Sequence, residues 1–225
     1  MMAAPVRNWS LRSGERQPSP HFADANASHR ARYAWAAGIL GERRGQRGAD
    51  VFCGTGYGTS YLAERTGATM RGFDGSSDAV TVAAAAYPGI VFTPTTFPGP
   101  LPVSAADFVA CIESLEHVAE DAAFLAALHA TLVPGGDLLL TVPNEERLPC
   151  AAFRNPFHVR HYTRAALDTL VTAAGFTVVA RHGQRIHRVM GGVRRGRVPD
   201  AHQSVRAEAP GFVPCTLCWH LRSMA

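Results

Sequence analysis

Three glycines alternate with other residues directly after a short apolar run, in the stretch V-F-C-G-T-G-Y-G-T at positions 51–59. A helical pattern follows this stretch, so it predicts a strand, a tight glycine turn and the N-terminus of a helix. The backbone N–H groups at a helix N-terminus lack intrahelical partners and can bind the polar end of a ligand. The predicted chemistry at this turn is therefore ligand binding by the main chain.

A carboxylate stands at the end of the second predicted strand. Asp74 follows the run 69–73 and lies about 20 residues beyond the turn, the offset at which an acidic residue typically binds ribose hydroxyls. A glycine turn alone is weak evidence for a ligand. The turn, the acid at a strand end and the alternation of strands with helices are together strong evidence for such a site.

The spacing of the glycines distinguishes between ligand classes. The dinucleotide fingerprint is G-x-G-x-x-G, and Gly54 and Gly56 fit it, but the last position is Thr59 and the third glycine comes early, at Gly58. The pattern G-x-G-x-G after the acidic position Asp50 resembles motif I of the class I S-adenosylmethionine (SAM) methyltransferases.

Two further blocks resemble the same family, and they follow in the family's order over roughly residues 49–179. The stretch 108–118, F-V-A-C-I-E-S-L-E-H-V, is similar to the fourth strand with its E-x-L-E-H-V extension. The stretch 132–140, L-V-P-G-G-D-L-L-L, is similar to the L-x-P-G-G turn into strand five. The resemblance implies SAM as the cofactor; a Rossmann-like domain without a cofactor is the alternative.

The resemblance also implies which residues contact SAM. In the family the glycine loop passes under the methionine part of SAM, and the acid after strand two holds the ribose. We expect Gly56 to leave the space that the ligand needs. After strand three many relatives carry an acid that meets the adenine, whereas this chain reads T-P-T-T-F-P at 93–98. The predicted cofactor-binding residues are Cys53, Gly54, Thr55, Gly56, Gly58, Asp74, Gly75, Ser76, Thr96, Phe97 and Glu113.

Methyl transfer requires alignment of donor and acceptor, which can lower the activation barrier by roughly 7–11 kcal/mol. A nearby base that takes the acceptor's proton can raise the rate by about two to four orders of magnitude. His158 lies in the stretch 155–162, N-P-F-H-V-R-H-Y, which resembles a block of bacterial small-molecule and glycan-associated members, with His161 in place of their usual Glu. His117 belongs to a block similar to that of quinone-precursor O-methyltransferases. These two histidines and Glu113 are the predicted catalytic residues; a structural hydrogen-bond role is the alternative for each histidine.

Four glutamates follow predicted strand ends and could attract an amine-bearing acceptor: Glu113, Glu116, Glu145 and Glu146. The leading hypothesis is therefore methylation of N or O of a small molecule. We favour an amino sugar, an aminoglycoside or another sugar-bearing natural product in antibiotic biosynthesis. The alternatives are an O-methyltransferase of a quinone precursor or phenol, and a SAM-binding partner subunit without catalysis.

The predicted fold is a Rossmann-like, doubly wound α/β domain with a seven-stranded, mostly parallel sheet and an N-terminal helical cap. Residues 1–47 form the tail and the cap helix, which begins at Asn26 or Ser28, and residues 48–225 form the SAM-binding domain. The cap covers the cofactor or serves only as a packing helix. The predicted strands are 49–53, 69–74, 90–93, 107–112, 137–142, 176–180 and the antiparallel 215–221.

The composition limits the partners. All 22 basic side chains are arginine, and they are scattered except between 181 and 197, so we expect a small-molecule acceptor and no nucleic acid. No apolar run reaches the roughly 18 residues of a membrane span, and the N-terminus lacks the apolar core of a signal peptide, so the expected location is the cytoplasm. Cys215 and Cys218 form a single C-x-x-C pair, whereas structural zinc needs four ligands, so no metal is expected. The oligomeric state stays open.

Overall fold

One mixed sheet organises the protein. The computed structural model describes residue 11 and residues 17–103, 105–153, 155–185 and 204–224. Within these residues the sheet has eight strands in the order β3-β2-β1-β4-β5-β8-β6-β7. They are β1 (Arg47–Val51), β2 (Thr69–Asp74), β3 (Val91–Pro94), β4 (Ala106–Ile112), β5 (Leu132–Pro143), β6 (Phe176–Gln184), β7 (Val205–Ala207) and β8 (Thr216–Ser223).

The strand directions agree with the doubly wound fold that the sequence predicts. Strands β3, β2, β1, β4 and β5 pair in parallel. The predicted antiparallel strand is confirmed as β8, which lies between β5 and β6 and opposes both. The expected count of seven strands is one short, because the three-residue β7 adds an antiparallel edge to β6. A strand of three residues is too short to show an alternating pattern.

Helices cover the sheet on both faces. They are α1 (Ala27–Leu40), α2 (Tyr57–Thr66), α3 (Ser77–Ala86), α4 (Asp121–Thr131), α5 (Cys150–Phe153) and α6 (Arg164–Ala173), with short 3-10 turns at Phe22–Asp24 and Leu115–His117. Polar side chains cap three of them by accepting a backbone N–H bond, as helix N-termini require: Asn26, Ser76 and Thr163. The four-residue α5 was not predicted.

The alternation of strand residues separates two hydrophobic clusters. Val109 and Cys111 of β4 belong to one cluster, together with Phe124 of α4. Phe108 and Ala110 belong to the other cluster, on the opposite face, as the period of two along a strand requires. Residues of α1 and α2 complete this second cluster, among them Tyr33, Ala36, Leu40 and Leu62.

The predicted cap helix is therefore an integral member of one helix layer. Tyr33 is 3% exposed and Ala36 is fully buried. A Cβ atom added to Gly58 would lie 2.0 Å from the Tyr33 ring, so the absence of a side chain at Gly58 lets α1 approach α2. α1 itself packs against α2, and the residues just before it lie over the glycine loop.

Candidate active site

The predicted site residues meet at one edge of the sheet. Strands β1, β2, β4 and β5 are parallel, so the loops that follow their carboxyl ends share this edge, where ligands of open α/β sheets bind. The loops after β1 and β2 carry the glycines and Asp74. The loops after β4 and β5 carry the predicted catalytic residues.

Each glycine of the loop has its own role. Gly56 has φ 81° at the N-cap of α2, and a Cβ there would lie 2.8 Å from the Phe92 ring. Gly56 is therefore needed for the turn and for packing, and the expectation that it clears the ligand's space stays a prediction. Gly54 has φ 56°, and a Cβ there would meet nothing within 4 Å. Gly54 is thus the glycine that faces open space.

The Asp74 carboxylate organises both loops on this side. Its Oδ2 accepts a hydrogen bond from the Gly54 N–H at 2.9 Å, and its Oδ1 accepts one from the Ser76 N–H at 2.8 Å. Asp74 is 1% exposed. Because a carboxylate has about four acceptor positions, these two bonds are compatible with further bonds from hydroxyl groups.

The segment before α1 lies across the glycine loop. The Thr55 hydroxyl donates to the carbonyls of Gln17, at 3.2 Å, and Ser19, at 2.9 Å, and the Tyr87 hydroxyl donates to the Pro20 carbonyl. Thr55 is fully buried as a result, whereas Gly54 remains half-buried. The backbone before residue 26 therefore covers the loop.

Asp50 anchors the helices beneath the loop. It is fully buried, accepts a hydrogen bond from the Thr59 hydroxyl at 2.7 Å, and lies 3.3 Å from the Tyr33 hydroxyl. Burial raises the pKa of Asp50 from 3.8 to about 7, although both hydroxyls oppose this rise. The acid before the glycine loop thus ties β1 to α1 and α2.

Aromatic rings connect the two sides of the edge. Phe52, which has φ 56°, stacks on Phe97 with ring centroids 4.3 Å apart and lies 6.3 Å from the His117 ring. Thr96 beside them is exposed. Cys53 is buried against Phe92, and burial raises the pKa of its thiol, so it is a packing residue rather than a nucleophile.

Glu113 is held by a buried arginine that sequence reasoning missed. Its carboxylate lies 3.3 Å from Arg32 Nη1 and accepts a hydrogen bond from the Thr141 hydroxyl at 3.0 Å. Arg32, from α1, is 2% exposed and also donates to Gln184 and Thr216, at 2.9 and 3.1 Å. The ion pair restricts the predicted catalytic role of Glu113. The signal in the sequence that could have indicated this contact is the position of Arg32, which stands next to Tyr33 on the apolar side of α1.

The two predicted histidines lie together. The rings of His117 and His158 have centroids 4.9 Å apart. His117 Nδ1 is 3.1 Å from the Phe157 carbonyl oxygen, and His158 Nδ1 is 2.7 Å from His161 Nε2. His161 Nδ1 in turn contacts the Leu148 carbonyl oxygen. The bond between His117 and Phe157 therefore links the loops after β4 and β5, whereas the contacts of His161 with His158 and Leu148 lie within the segment after β5.

These contacts determine where the ring protons lie. A carbonyl oxygen only accepts, so His161 donates from Nδ1 to Leu148, and its Nε2 accepts from His158 Nδ1. Burial lowers the pKa of His161, which favours this neutral form. By the same argument His117 donates from Nδ1 to Phe157. In the neutral form of either ring, His117 and His158 therefore carry the lone pair on Nε2.

Protein groups already engage most of the predicted acidic patch. Glu146 forms an ion pair with Arg164 at 2.7 Å, and Glu145 accepts a hydrogen bond from the Cys150 N–H at 2.7 Å. Glu116 is fully buried, with Oε1 4.0 Å from His117 Nε2. Glu113 and Glu146 are thus paired with arginines and Glu116 is buried, while Glu146 itself remains exposed.

Two predicted features fall outside or beside this site. The arginines at 188, 194, 195 and 197 lie outside the described residues. Cys215 and Cys218 are both buried; Cys218 lies in β8, and Cys215 lies just before it, where its carbonyl accepts a hydrogen bond from the Asn144 N–H at the end of β5. Within the ranges described above, every helix is too short or too polar to cross a bilayer.

Comparison with known proteins identifies the family. The model of the methyltransferase domain family matches residues 24–181. A Mycolicibacterium smegmatis protein described as a probable S-adenosylmethionine-dependent methyltransferase is 32% identical over 139 residues, which are 58% of this chain and 53% of that protein. A ubiquinone biosynthesis O-methyltransferase of Cupriavidus pinatubonensis is 29% identical over 136 residues, 56% of this chain and 53% of that protein.

A solved SAM-dependent methyltransferase from Thermotoga maritima has the same fold, with a TM-score of 0.64 at 17% identity over 87% of this chain and 91% of that one. The chain spans about half the length of the curated relatives it matches. The family match covers well over half of this chain and includes the glycine loop, Asp74 and both histidines. The chain therefore belongs to the methyltransferase domain family, and its predicted membership of the class I SAM-dependent methyltransferases is confirmed.

Proposed function

We propose that this chain is a SAM-dependent methyltransferase that methylates a hydroxyl oxygen or an amine nitrogen of a small molecule. The observation that carries the proposal is the combination, at one sheet edge, of a loop organised by Asp74 with two histidines whose Nδ1 atoms are oriented by hydrogen bonds. When bound, SAM supplies a methyl group that is already activated by its sulfonium sulfur. The protein then has to orient the acceptor and remove its proton.

The cofactor side fits SAM through main-chain groups and one carboxylate. Gly54 leaves open space, and we expect Asp74, already oriented by two N–H bonds, to accept hydrogen bonds from the ribose hydroxyls. The other predicted contacts support this arrangement in different ways. Thr55 holds the covering segment, Gly58 admits Tyr33, and Ser76 caps α3.

The acceptor side favours a hydroxyl over an amine. The preference for an amino sugar rested on the glutamates, and Glu113 and Glu146 are neutralised by arginines. A hydroxyl must lose its proton to become a good nucleophile, and the lone pairs of His117 and His158 are suited to accept it. Phe157, between these histidines and 38% exposed, offers an apolar surface to a ring-bearing acceptor. The phenol or quinone-precursor alternative therefore gains support relative to the sugar.

Two measurements test this function. Calorimetry should show SAM binding, and mass spectrometry should then detect the added methyl group on members of a panel of catechols, other phenols, glycosides and aminoglycosides. Methylation of phenols but not aminoglycosides would support the hydroxyl preference. SAM binding without turnover of any class would favour the non-catalytic partner subunit. A chain that does not bind SAM would contradict the proposal.

A further inference from the structure

The segment ahead of α1, called here the strap (residues 17–24), lies on the glycine loop. Its carbonyl groups accept hydrogen bonds from two hydroxyls, those of Thr55 in the loop and of Tyr87 just after α3. In both cases a side chain of the domain bonds to the main chain of the strap. These bonds can therefore break and re-form without any change in the loop beneath.

An aromatic contact also holds the strap. The Phe22 ring stacks on Tyr61 of α2, with ring centroids 3.9 Å apart and ring planes 6° apart. Phe22 itself is only partly buried. Segments with few buried apolar contacts open at a lower free energy than the core of a sheet does, and the strap has this character.

Hydrogen bonds inside the strap allow it to move as a unit. Gln17 Nε2 donates to the Asp24 carbonyl at 2.9 Å, and the Ser19 hydroxyl donates to the Asp24 carboxylate at 2.6 Å. The two ends of the strap are thus bonded to each other. Opening therefore breaks the contacts with Thr55, Tyr87 and Tyr61 while the bonds within the strap remain.

The fixed end of the strap is Ala25. It is 2% exposed, packs in the same hydrophobic cluster as α1, and its carbonyl accepts a hydrogen bond from Arg30 at 2.5 Å. Arg30 also donates to the Ala23 carbonyl at 3.0 Å, and its long side chain can follow a moving acceptor. Asn26 then caps α1. The strap can therefore turn about Ala25, where it meets the helix.

The groups expected to bind the cofactor are enclosed on this side. Asp74 is 1% exposed and Thr55 is fully buried, yet a Cβ atom added to Gly54 would meet nothing within 4 Å. Space for a ligand thus exists beside a loop that the strap covers. A ligand that fills this space and reaches the Asp74 carboxylate has to displace covering chain on its way in.

We propose that the strap is a gate for the cofactor, which opens about Ala25 to admit SAM and closes again over the bound molecule. This gate rests on the proposed function, because SAM is its ligand. The same contacts hold the strap before and after binding. Weakening them therefore raises the association and dissociation rate constants together and leaves their ratio, the dissociation constant, nearly unchanged.

Two variants weaken the strap without changing a predicted cofactor contact. Surface plasmon resonance on immobilised full-length protein gives both rate constants for SAM. Tyr87→Phe should raise each of them by roughly two- to tenfold, the factor that corresponds to one hydrogen bond, and Phe22→Ala by at least as much. The controls Tyr61→Phe, which keeps the ring under Phe22, and Val91→Ala, at an exposed position of β3, should bind at the original rates.

Hydrogen exchange locates the motion in the ligand-free protein. Millisecond exchange read by mass spectrometry should show faster exchange of the strap amides in Tyr87→Phe and Phe22→Ala, with the amides of β4 unchanged. SAM should slow the exchange of the strap amides in the unaltered protein, because the strap closes over the bound molecule.

The outcomes separate the gate from the proposed function. Unchanged rate constants in both variants would overturn the gate, and a lower melting temperature beside them would show that the strap only packs. A rise in the dissociation rate constant alone, with a matching loss of affinity, would also overturn it. In these cases SAM still binds and the proposed function stands. Absence of SAM binding by the unaltered protein would overturn the proposed function and the gate with it.

Discussion

The two sides of the sheet edge are built by different means. On the proposed cofactor side the glycine loop offers mainly main-chain groups, and the Asp74 side chain accepts hydrogen bonds from the backbone N–H groups of Gly54 and Ser76. On the acceptor side, side chains contact side chains across two loops, as His158 and His161 do. A site formed by the backbone needs glycines at fixed spacing, so it can be predicted from the sequence. A site made of side chains depends on how distant loops meet.

The comparison is tested most strongly at Asp74. Asp74→Ala removes the acceptor of two loop N–H groups and the proposed partner of the ribose, and bonds to a charged group contribute about 1.5–3 kcal/mol each. SAM affinity should fall by about a hundredfold or more, as measured by calorimetry. The exposed Asp78→Asn, on the neighbouring helix, serves as the control and should bind normally. A folded Asp74→Ala protein with unchanged affinity would remove Asp74 from the cofactor site.

The histidine pair should behave in the opposite way. Replacing His158 or His117 by Ala is expected to lower the maximal rate by about two to four orders of magnitude, because one of these rings is proposed to take the acceptor's proton. The dissociation constant for SAM should stay within a factor of about two, because the change affects the chemical step.

The double variant makes this prediction decisive. Steady-state rates and SAM titrations are measured for both single variants and for the pair. If the double variant turns over at the original rate, alignment alone carries the reaction. If SAM binding falls as much as the rate, the two sides are not functionally separate.

A third prediction concerns the acid beneath the glycine loop. Burial raises the pKa of Asp50 from 3.8 to about 7. Between these two pH values the Asp50 carboxyl group is therefore protonated to a greater extent in the folded protein than in the unfolded chain. Stability from this group is therefore greatest below about pH 4 and is lost as the pH rises towards 7, by about 4 kcal/mol in total. Asp50→Asn stays neutral and should lessen the fall in melting temperature.

Thermal unfolding from about pH 4 to about pH 8 checks this sign. The exposed Asp78→Asn again serves as the matched control, and its profile should follow that of the unaltered protein. If the difference in melting temperature between Asp50→Asn and the unaltered protein did not change with pH, ionisation of Asp50 would not destabilise the folded protein.

The fold was predictable because its signals are local. The period of two in β4, the glycine loop and the cap at Ser76 each depend on residues close in sequence. The antiparallel β8 followed from the family resemblance. The structure added β7 and α5, which have three and four residues and no periodicity of their own.

The site was predictable only where one loop builds it. Arg32 reaches Gln184 and Thr216 across more than 150 positions of sequence, and no local pattern indicates such a contact. His161 differs from the glutamate of related blocks, and its function as the acceptor for His158 became visible only when Leu148 was placed beside it. The buried Glu116 likewise looked like one of several surface acids in the sequence.

The smallest expected effects come from two alanine substitutions within the cofactor loop. Gly54→Ala and Gly56→Ala both place a side chain at positive φ, at a cost of about 1–2 kcal/mol. Only at Gly56 does the new Cβ also meet the Phe92 ring, which adds about 1–3 kcal/mol of overpacking. At Gly54 the methyl group enters open space at the sheet edge, where the ligand is proposed to lie.

Gly56→Ala should therefore lower the melting temperature more than Gly54→Ala does. Gly54→Ala should show the larger loss of SAM affinity relative to its loss of stability. Thermal unfolding gives the stability of both variants, and SAM titration gives their affinity for the cofactor. Gly89→Ala is the control, because Gly89 has ordinary φ and open space around its Cβ position. If Gly54→Ala kept full affinity, the open space beside the loop would not be where the cofactor lies, and the cofactor side would have to be sought nearer to Phe52 and Phe97.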